Sequence, residues 1–193
     1  LHPIHTDVSF HDKKELGEGG KEFTSRGEEF DEKYYKGLAL HPKVVAIGEC
    51  GLDYFRIENK ESKESGIKKQ KDVFEQQISL ALECDLPLMI HCRPTPGTMD
   101  AYKDILEILN SYFLIHNSKL RGDVHFFAGN WEEAKKFLDL GFTLSFTGVV
   151  TFTSDYDDVI RNTPLDMLMS ETDAPYVAPV PYRGKRNEPV HVK

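Results

Sequence analysis

Five short apolar runs are the most regular feature of the chain. Each holds about four to six residues, is rich in apolar, often β-branched or aromatic, side chains and ends near a polar residue or a breaker, which is typical of buried strands. The predicted strands cover residues 44–49, 86–91, 122–127, 142–147 and 166–171. Pro87 lies at the entry of the second strand, where a missing N–H is tolerated.

Helical periodicity fills much of the sequence between these strands. Apolar residues three to four positions apart predict helices that end near Cys84 or cover residues 99–113, 131–140 and 155–161. Residues 12–35 are predicted to form a loop and then a surface helix, and the Lys- and Glu-rich residues 56–71 a solvated segment. Strands that alternate with helices in this way predict a parallel α/β sheet.

Composition and charge fit one globular domain over residues 1–193. Hydrophobic residues make up 39% and charged residues 29% of the chain, which is ordinary for a globular protein. The formal charge of −8 provides no general positive field that would attract nucleic acid. A substrate that carries phosphate would therefore need local cations, either metal ions or a few placed Arg and Lys side chains.

Cysteine usage and hydropathy bear on the compartment. Cys50, Cys84 and Cys92 form neither a CxxC pair nor a disulfide framework, which favours a reducing compartment and a cytoplasmic location. No apolar run reaches the ~18 residues of a membrane span, so we expect no membrane association. The sequence gives no sign of an obligate protein partner.

Four polar residues at or just after the ends of separate predicted strands are the candidate site. They are Glu49, His91, His125 and Asp173. Parallel strands place their carboxyl ends on one face of the molecule, so we expect these side chains to converge there. Two imidazoles and two carboxylates form a binding set for a divalent metal such as zinc or manganese.

Each of these residues also has a purely structural interpretation. A histidine after an apolar run is more often a hydrogen-bonded core residue than a ligand, and Glu49 could cap a helix or form an ion pair. Asp173, before Ala-Pro, could belong to an Asx turn. The metal hypothesis is stronger than any of these because four strands would otherwise each end in a ligand type by accident.

Other charged and imidazole side chains are weaker candidates. Arg183, Lys185 and Arg186 follow the Asp173 segment closely and flank the predicted site, which favours contact with phosphate. His2, His5 and His41 lie in or near predicted loops and are weaker candidates than the residues at the strand ends.

Five motifs occur in an order that resembles the TatD family of metal-dependent deoxyribonucleases, within the amidohydrolase-like TIM-barrel superfamily. The motifs are IGECGLDY at 47–54, HCR at 91–93, HFFAG at 125–129, ETDAPY at 171–176 and RGKRNEP at 183–189. The resemblance covers essentially the whole chain, and the ordered set is specific, although no single motif would carry it.

The resemblance implies a (β/α)8 barrel that holds one or two divalent ions, Mg²⁺, Mn²⁺ or Zn²⁺, and hydrolyses phosphodiester bonds in DNA, with 3′–5′ exonuclease action. Glu49 would bridge two ions, and His91 and His125 would hold one of them. Asp173 would bind the other ion and take a proton from the attacking water. Glu49 and Asp173 are therefore the expected catalytic residues, and Arg183, Arg186 and Asn187 the expected substrate-binding residues.

One family feature is absent from the sequence. The first strand of the family carries a His-x-His pair for the second ion, and no such pair occurs here. His2 and His5 form His-x-x-His, lie where the family has the loop after strand two, and are not expected to replace that pair. Since a full barrel takes about 250 residues, we expect this chain to be an incomplete barrel, truncated at both ends and lacking strands one, two and the last.

Two other functions remain open at this point. A hydrolase of the same fold could act on a small amide or ester, because the barrel and metals are shared while the substrate loops differ. Alternatively, the protein could be a binding module with an incomplete metal site, which retains the fold but does not catalyse hydrolysis.

Overall fold

The main sheet consists of parallel strands that follow one another in chain order. The structure is a computed structural model that describes residues 1–13, 21–55, 57, 60–116 and 120–193. It contains seven strands in two sheets within these residues. The strands are β1 (Phe10–His11), β2 (Phe23–Thr24), β3 (Ile47–Asp53), β4 (Leu88–Arg93), β5 (Gly122–His125), β6 (Thr143–Phe146) and β7 (Leu168–Ser170). β1 and β2 pair antiparallel, and β3 to β7 form a five-stranded sheet in the order β3-β4-β5-β6-β7 with every pair parallel.

Helices separate the strands of the main sheet. The α-helices are α1 (Glu32–Ala39), α2 (Lys60–Cys84), α3 (Asp100–His116), α4 (Trp131–Asp139) and α5 (Asp157–Asn162). Short 3-10 helices cover Pro3–Thr6, Gly148–Thr151, Leu165–Met167 and Pro189–Val192. This alternation confirms the predicted α/β class and the partial (β/α)8 barrel, because neighbouring barrel strands are also consecutive in the chain.

Several predicted boundaries differ from the structure, among them those of the first strand and of the segment 56–71. The first strand of the sheet begins at Ile47, three residues later than predicted, and continues to Asp53, four residues beyond its predicted end at Glu49. The segment 56–71 is not merely solvated, because α2 begins at Lys60. Lys, Glu and Gln are good helix formers, so the charged side chains of this segment cover the exposed surface of a long helix. Parts of 56–71, and residues 14–20 of the predicted loop, lie outside the described residues.

The main sheet has two different faces. On β4, the side chains of Leu88, Ile90 and Cys92 are buried in the hydrophobic core, while the alternate residues Met89 and His91 keep some exposure. α2 packs on β3, α3 on β3 and β4, and α4 on β6, so the helices cover the apolar face. The other face is the inner face of the barrel and carries the polar residues of the site.

Strand register brings the two predicted histidine ligands together. His91 pairs with His125 across β4 and β5, and Gly51 of β3 pairs with His91 on its other side. Gly51 has φ +133°, and a Cβ atom there would lie 2.1 Å from the carbonyl oxygen of His91. Glycine at this position therefore permits the close approach of β3 that aligns its carboxylates with His91.

No helix in the described part of the chain is both long and apolar enough to cross a membrane.

Candidate active site

Three imidazoles surround one carboxylate oxygen. Oε2 of Glu49 lies 3.8 Å from Nδ1 of His91 and 3.8 Å from Nε2 of His125. Nε2 of His2 lies 3.5 Å from the same oxygen. Glu49 on β3, His91 on β4 and His125 on β5 thus converge as the sequence predicts, and His2 joins them from the segment before the first 3-10 helix.

A buried carboxylate orients His91. Oδ2 of Asp53 accepts a hydrogen bond from Nε2 of His91 at 2.9 Å, and Asp53 also accepts the N–H of Phe55. Burial works against the charge of Asp53, but its hydrogen bond with His91 outweighs this and holds the pKa of the carboxyl below its ordinary value. With the Nε2 proton directed to Asp53, the Nδ1 lone pair of His91 faces Glu49.

His125 is oriented in the same way through its other nitrogen. Its Nδ1 lies 2.6 Å from Oε2 of Glu171. Glu171 also accepts the N–H of Phe126 at 2.7 Å and the hydroxyl of Ser145. Burial opposes the charge of Glu171, while its hydrogen bonds with His125 and Ser145 keep its pKa below the ordinary value. Nε2 of His125 therefore faces Glu49 and Asp173.

The carboxylates around His125 favour positive charge. Burial alone would lower the pKa of this imidazole, but the carboxylates of Asp173, Glu171 and Glu49 raise its pKa to about 10. The same carboxylates would stabilise a divalent cation, which would bind to His125 in exchange for its proton.

Asp173 completes the group of predicted ligands. Its Oδ1 lies 3.6 Å from Nε2 of His125, and its backbone has φ +51°, in the left-handed region. Asp tolerates this conformation better than most residues other than glycine. The loop that follows β7 thereby turns the Asp173 carboxylate back toward His125.

The geometry fits a divalent metal. Ligand atoms stand about 2.0–2.2 Å from zinc, so adjacent ligand atoms are roughly 3 to 4 Å apart. The separations of 3.8 Å from Glu49 to His91 and His125, and of 3.6 Å from His125 to Asp173, lie in this range. One potential ligand atom each of His2, Glu49 and His91 also lies within 4.8 Å of the others. Carboxylate and imidazole donors are suitable for Zn²⁺ or Mn²⁺.

His2 is the residue that the sequence interpretation missed. The sequence interpretation treated it only as a weaker candidate in or near a loop, whereas its ring stands 4.2 Å from the ring of His91. Burial, followed by the charge of His91, lowers the pKa of His2 to about 2, so the imidazole is neutral at physiological pH. The order of motifs in the sequence places residues 1–3 in a loop that follows a barrel strand. This position was the one indication in the sequence that His2 lies near the site.

Asn187 has a different place from the one predicted. Its side chain is buried, and its amide donates to the carbonyl oxygens of Thr172 and Tyr176, each at 2.7 Å. Its backbone N–H donates to the carbonyl of Pro175. These bonds tie Asn187 to both ends of the loop that carries Asp173. Its side chain thus positions this loop and does not line the cavity.

A cavity of about 920 Å³ opens above these residues. Arg93 and Arg183 line it, and each guanidinium lies over a phenylalanine ring, Phe55 at 3.7 Å and Phe152 at 3.8 Å. Lys185 also lines the cavity. Arg186 is exposed to solvent and is not among the residues that line it.

A partial (β/α)8 barrel whose strands bring imidazoles and carboxylates together at their ends has the arrangement that TIM-barrel metal-dependent hydrolases share. The family model for TatD-related DNases matches residues 1–193, and the chain belongs to this family.

Similar proteins agree with this assignment. The chain is 42% identical to the uncharacterized metal-dependent hydrolase YabD of Bacillus subtilis, over 86% of this chain and 60% of that protein. It is 38% identical to the 3′-5′ ssDNA/RNA exonuclease TatD of a Rahnella strain, over 79% of this chain and 55% of that protein. The crystal structure of the TatD homolog YjjV from Escherichia coli superposes with a TM-score of 0.69 at 28% identity, covering 83% of this chain and 57% of that one. The chain thus spans little more than half the length of these relatives.

Proposed function

We propose that the protein hydrolyses phosphodiester bonds in DNA, with one or two divalent ions bound by Glu49, His91, His125 and Asp173. The observation that carries this proposal is the orientation of the two imidazoles. Asp53 and Glu171 hold their outer N–H groups, so that both inner nitrogens face Glu49. The names of the relatives, which include metal-dependent hydrolases and an exonuclease, support the same activity. A cytoplasmic location is part of the proposal.

Each ligand has a distinct task in this proposal. Glu49 lies between the imidazoles and supplies negative charge at the centre of the site. Asp173 has a carboxylate oxygen at the inner end of His125, where it would accept the proton of an attacking water. A bound divalent ion would supply positive charge to the phosphate and lower the pKa of the water nucleophile.

The residues that line the cavity favour a nucleic-acid substrate over a small amide or ester. A chain with a net charge of −8 needs local cations to bind a polyanion, and Arg93, Arg183 and Lys185 provide them. Phe152, beneath the guanidinium of Arg183, and Phe126 also line the cavity. Aromatic side chains of this kind stack on bases, while a small amide would use few of these contacts.

The test is an assay of the protein on a 5′-labelled single-stranded oligonucleotide with Mn²⁺. We expect metal-dependent shortening from the 3′ end, its loss on addition of a chelator, and a fall of about 10² to 10⁴ in rate for Asp173→Asn. Asp166→Asn, which alters an exposed carboxylate on the surface, is the matched control.

Two outcomes would contradict the proposal. Hydrolysis of small amide or ester substrates without cleavage of the oligonucleotide would favour the alternative hydrolase. Oligonucleotide binding without cleavage at saturating Mn²⁺ would favour a binding module.

A further inference from the structure

His2 presents one nitrogen to the centre of the candidate active site. Its Nε2 lies 3.5 Å from Oε2 of Glu49, and its ring lies beside that of His91. At this position a nitrogen lone pair would face a bound cation, whereas an N–H would face an anion. The position of the ring proton therefore decides what His2 binds.

A backbone hydrogen bond fixes that proton. His2 caps the 3-10 helix Pro3–Thr6, and its Nδ1 accepts the N–H of Ile4 at 3.2 Å. A ring nitrogen that accepts a hydrogen bond carries no proton, so the single proton of the neutral imidazole is on Nε2. Imidazolium, which carries protons on both nitrogens, is incompatible with this cap.

The other two imidazoles of the site are oriented in the opposite way, with an N–H group that points away from the centre of the site. His91 and His125 each direct one N–H group outward to a carboxylate, and their inner nitrogens face Glu49. His2 directs its lone pair outward to the backbone and its N–H inward. The site thus combines two inner nitrogens that can bind a cation, on His125 in exchange for its proton, with one inward donor that the cap fixes and that suits an oxygen anion.

We propose that Nε2 of His2 donates a hydrogen bond to a non-bridging oxygen of the substrate's phosphoryl group and does not bind metal. This inference rests on the proposed function, because it requires a phosphorus centre beside Glu49. The separation of 3.5 Å from Glu49 is longer than a normal hydrogen bond, so the carboxylate does not occupy the donor. A preorganised neutral donor stabilises the charge that develops on such an oxygen in the transition state.

Two substitutions distinguish the role of Nδ1 of His2 as a helix cap from the role of Nε2 as a hydrogen-bond donor. In His2→Asn, the amide oxygen can accept the N–H of Ile4 in place of Nδ1, because Asn is a good N-cap residue, but no donor reaches the position of Nε2. In His2→Gln, the longer side chain places an amide N–H near that position and gives up the cap. His41→Asn is the matched control, since Nδ1 of the exposed His41 accepts the N–H of Lys43 at the same distance of 3.2 Å.

The metal measurements test the donor assignment directly. We expect His2→Asn, His41→Asn and wild type to bind Zn²⁺ with equal affinity in calorimetric titrations. We also expect ¹⁵N–¹H spectra of the Zn²⁺-loaded wild type to show a proton on Nε2 of His2. Loss of Zn²⁺ affinity in His2→Asn, or an Nε2 that loses its proton when Zn²⁺ binds, would make His2 a ligand and overturn the inference.

The phosphate measurements test the contact with substrate. Inorganic phosphate should bind the Mn²⁺-loaded His2→Asn protein about tenfold more weakly than wild type, because one hydrogen bond to a charged group is lost. The rate of oligonucleotide cleavage should fall about 10²-fold or more in His2→Asn and recover in part in His2→Gln.

Failure of the inference and failure of the proposed function give different results. Equal phosphate affinity in wild type and His2→Asn overturns the inference, whether or not the oligonucleotide is cleaved. A wild type that binds phosphate through His2 but cleaves no oligonucleotide overturns the proposed function and leaves the contact of His2 with phosphate standing.

Discussion

Nδ1 of His125 lies 2.6 Å from Oε2 of Glu171, and this contact fixes which nitrogen of His125 faces the site. Glu171 is itself held by the N–H of Phe126 and the hydroxyl of Ser145. The carboxylate two residues before Asp173 therefore orients a candidate metal ligand and is itself held in place by two donors. Partners of this kind keep a ligand in one tautomer and one orientation.

Substitution of Glu171 should weaken metal binding without removing a ligand. We expect Glu171→Gln to lower the affinity for Mn²⁺ by about 10- to 100-fold, because His125 loses the carboxylate that orients it. Calorimetric titration measures the effect. Glu132→Gln, on the exposed surface of α4, is the control, and equal affinities in the two variants would argue against the orienting role.

Metal binding should depend on pH through His125. Its pKa of about 10 means that the imidazole is protonated at pH 7 in the metal-free protein, and a bound ion must displace that proton. We expect release of about one proton per ion at pH 7, and an affinity that rises about tenfold per pH unit until the pH approaches the pKa. Titrations in buffers of different ionisation enthalpy count the protons. Proton release near zero at pH 7 would contradict the raised pKa.

Removal of the Asn187 amide should destabilise the loop that carries Asp173. Asn187→Ala leaves the carbonyl oxygens of Thr172 and Tyr176 without their donor, and we expect a loss of about 2 to 3 kcal/mol in the free energy of unfolding. Asn110 also donates to a backbone carbonyl, but its side chain is exposed on α3, so Asn110→Ala should change stability by less than about 0.5 kcal/mol. Urea denaturation compares the variants. Similar losses of stability in the two variants would contradict the role of Asn187 in holding this loop.

The two arginines of the basic loop should differ in their effect on substrate binding. Arg183 lines the cavity and Arg186 is exposed outside it. Arg183→Ala should raise the KM for an oligonucleotide and reduce the salt dependence of binding by about one phosphate contact. Arg186→Ala should have a smaller effect on both. Equal effects would show that phosphate contacts extend well beyond the cavity.

Apolar patterning was sufficient to predict the sheet and the convergence of the four candidate ligands. The carboxyl ends of parallel strands lie at the same end of the barrel, so His and Glu residues at those ends must lie near one another. The pattern failed where tertiary pairing overrides local propensity. Gly51 and Asp53 are poor strand formers, yet they extend β3 because they pair with His91 and Arg93 on β4.

The residues that orient the ligands were harder to predict. Asp53 follows Glu49 by four residues, so it lies on the same face of β3 once the strand is extended that far, and its relation to His91 follows from the strand pairing. His2 gave no periodic signal, since it precedes a single 3-10 turn and reaches the site through contacts with distant residues. Motif order places such a residue near the site but does not indicate which atom of its ring faces inward.

The most direct test of the metal site is anomalous diffraction from crystals grown with Mn²⁺. We predict a peak about 2.0–2.3 Å from a carboxylate oxygen of Glu49 and from Nε2 of His125, the ring nitrogen that does not contact Glu171. A peak bound by the outer nitrogen of His125, or no peak among these residues at saturating Mn²⁺, would contradict it.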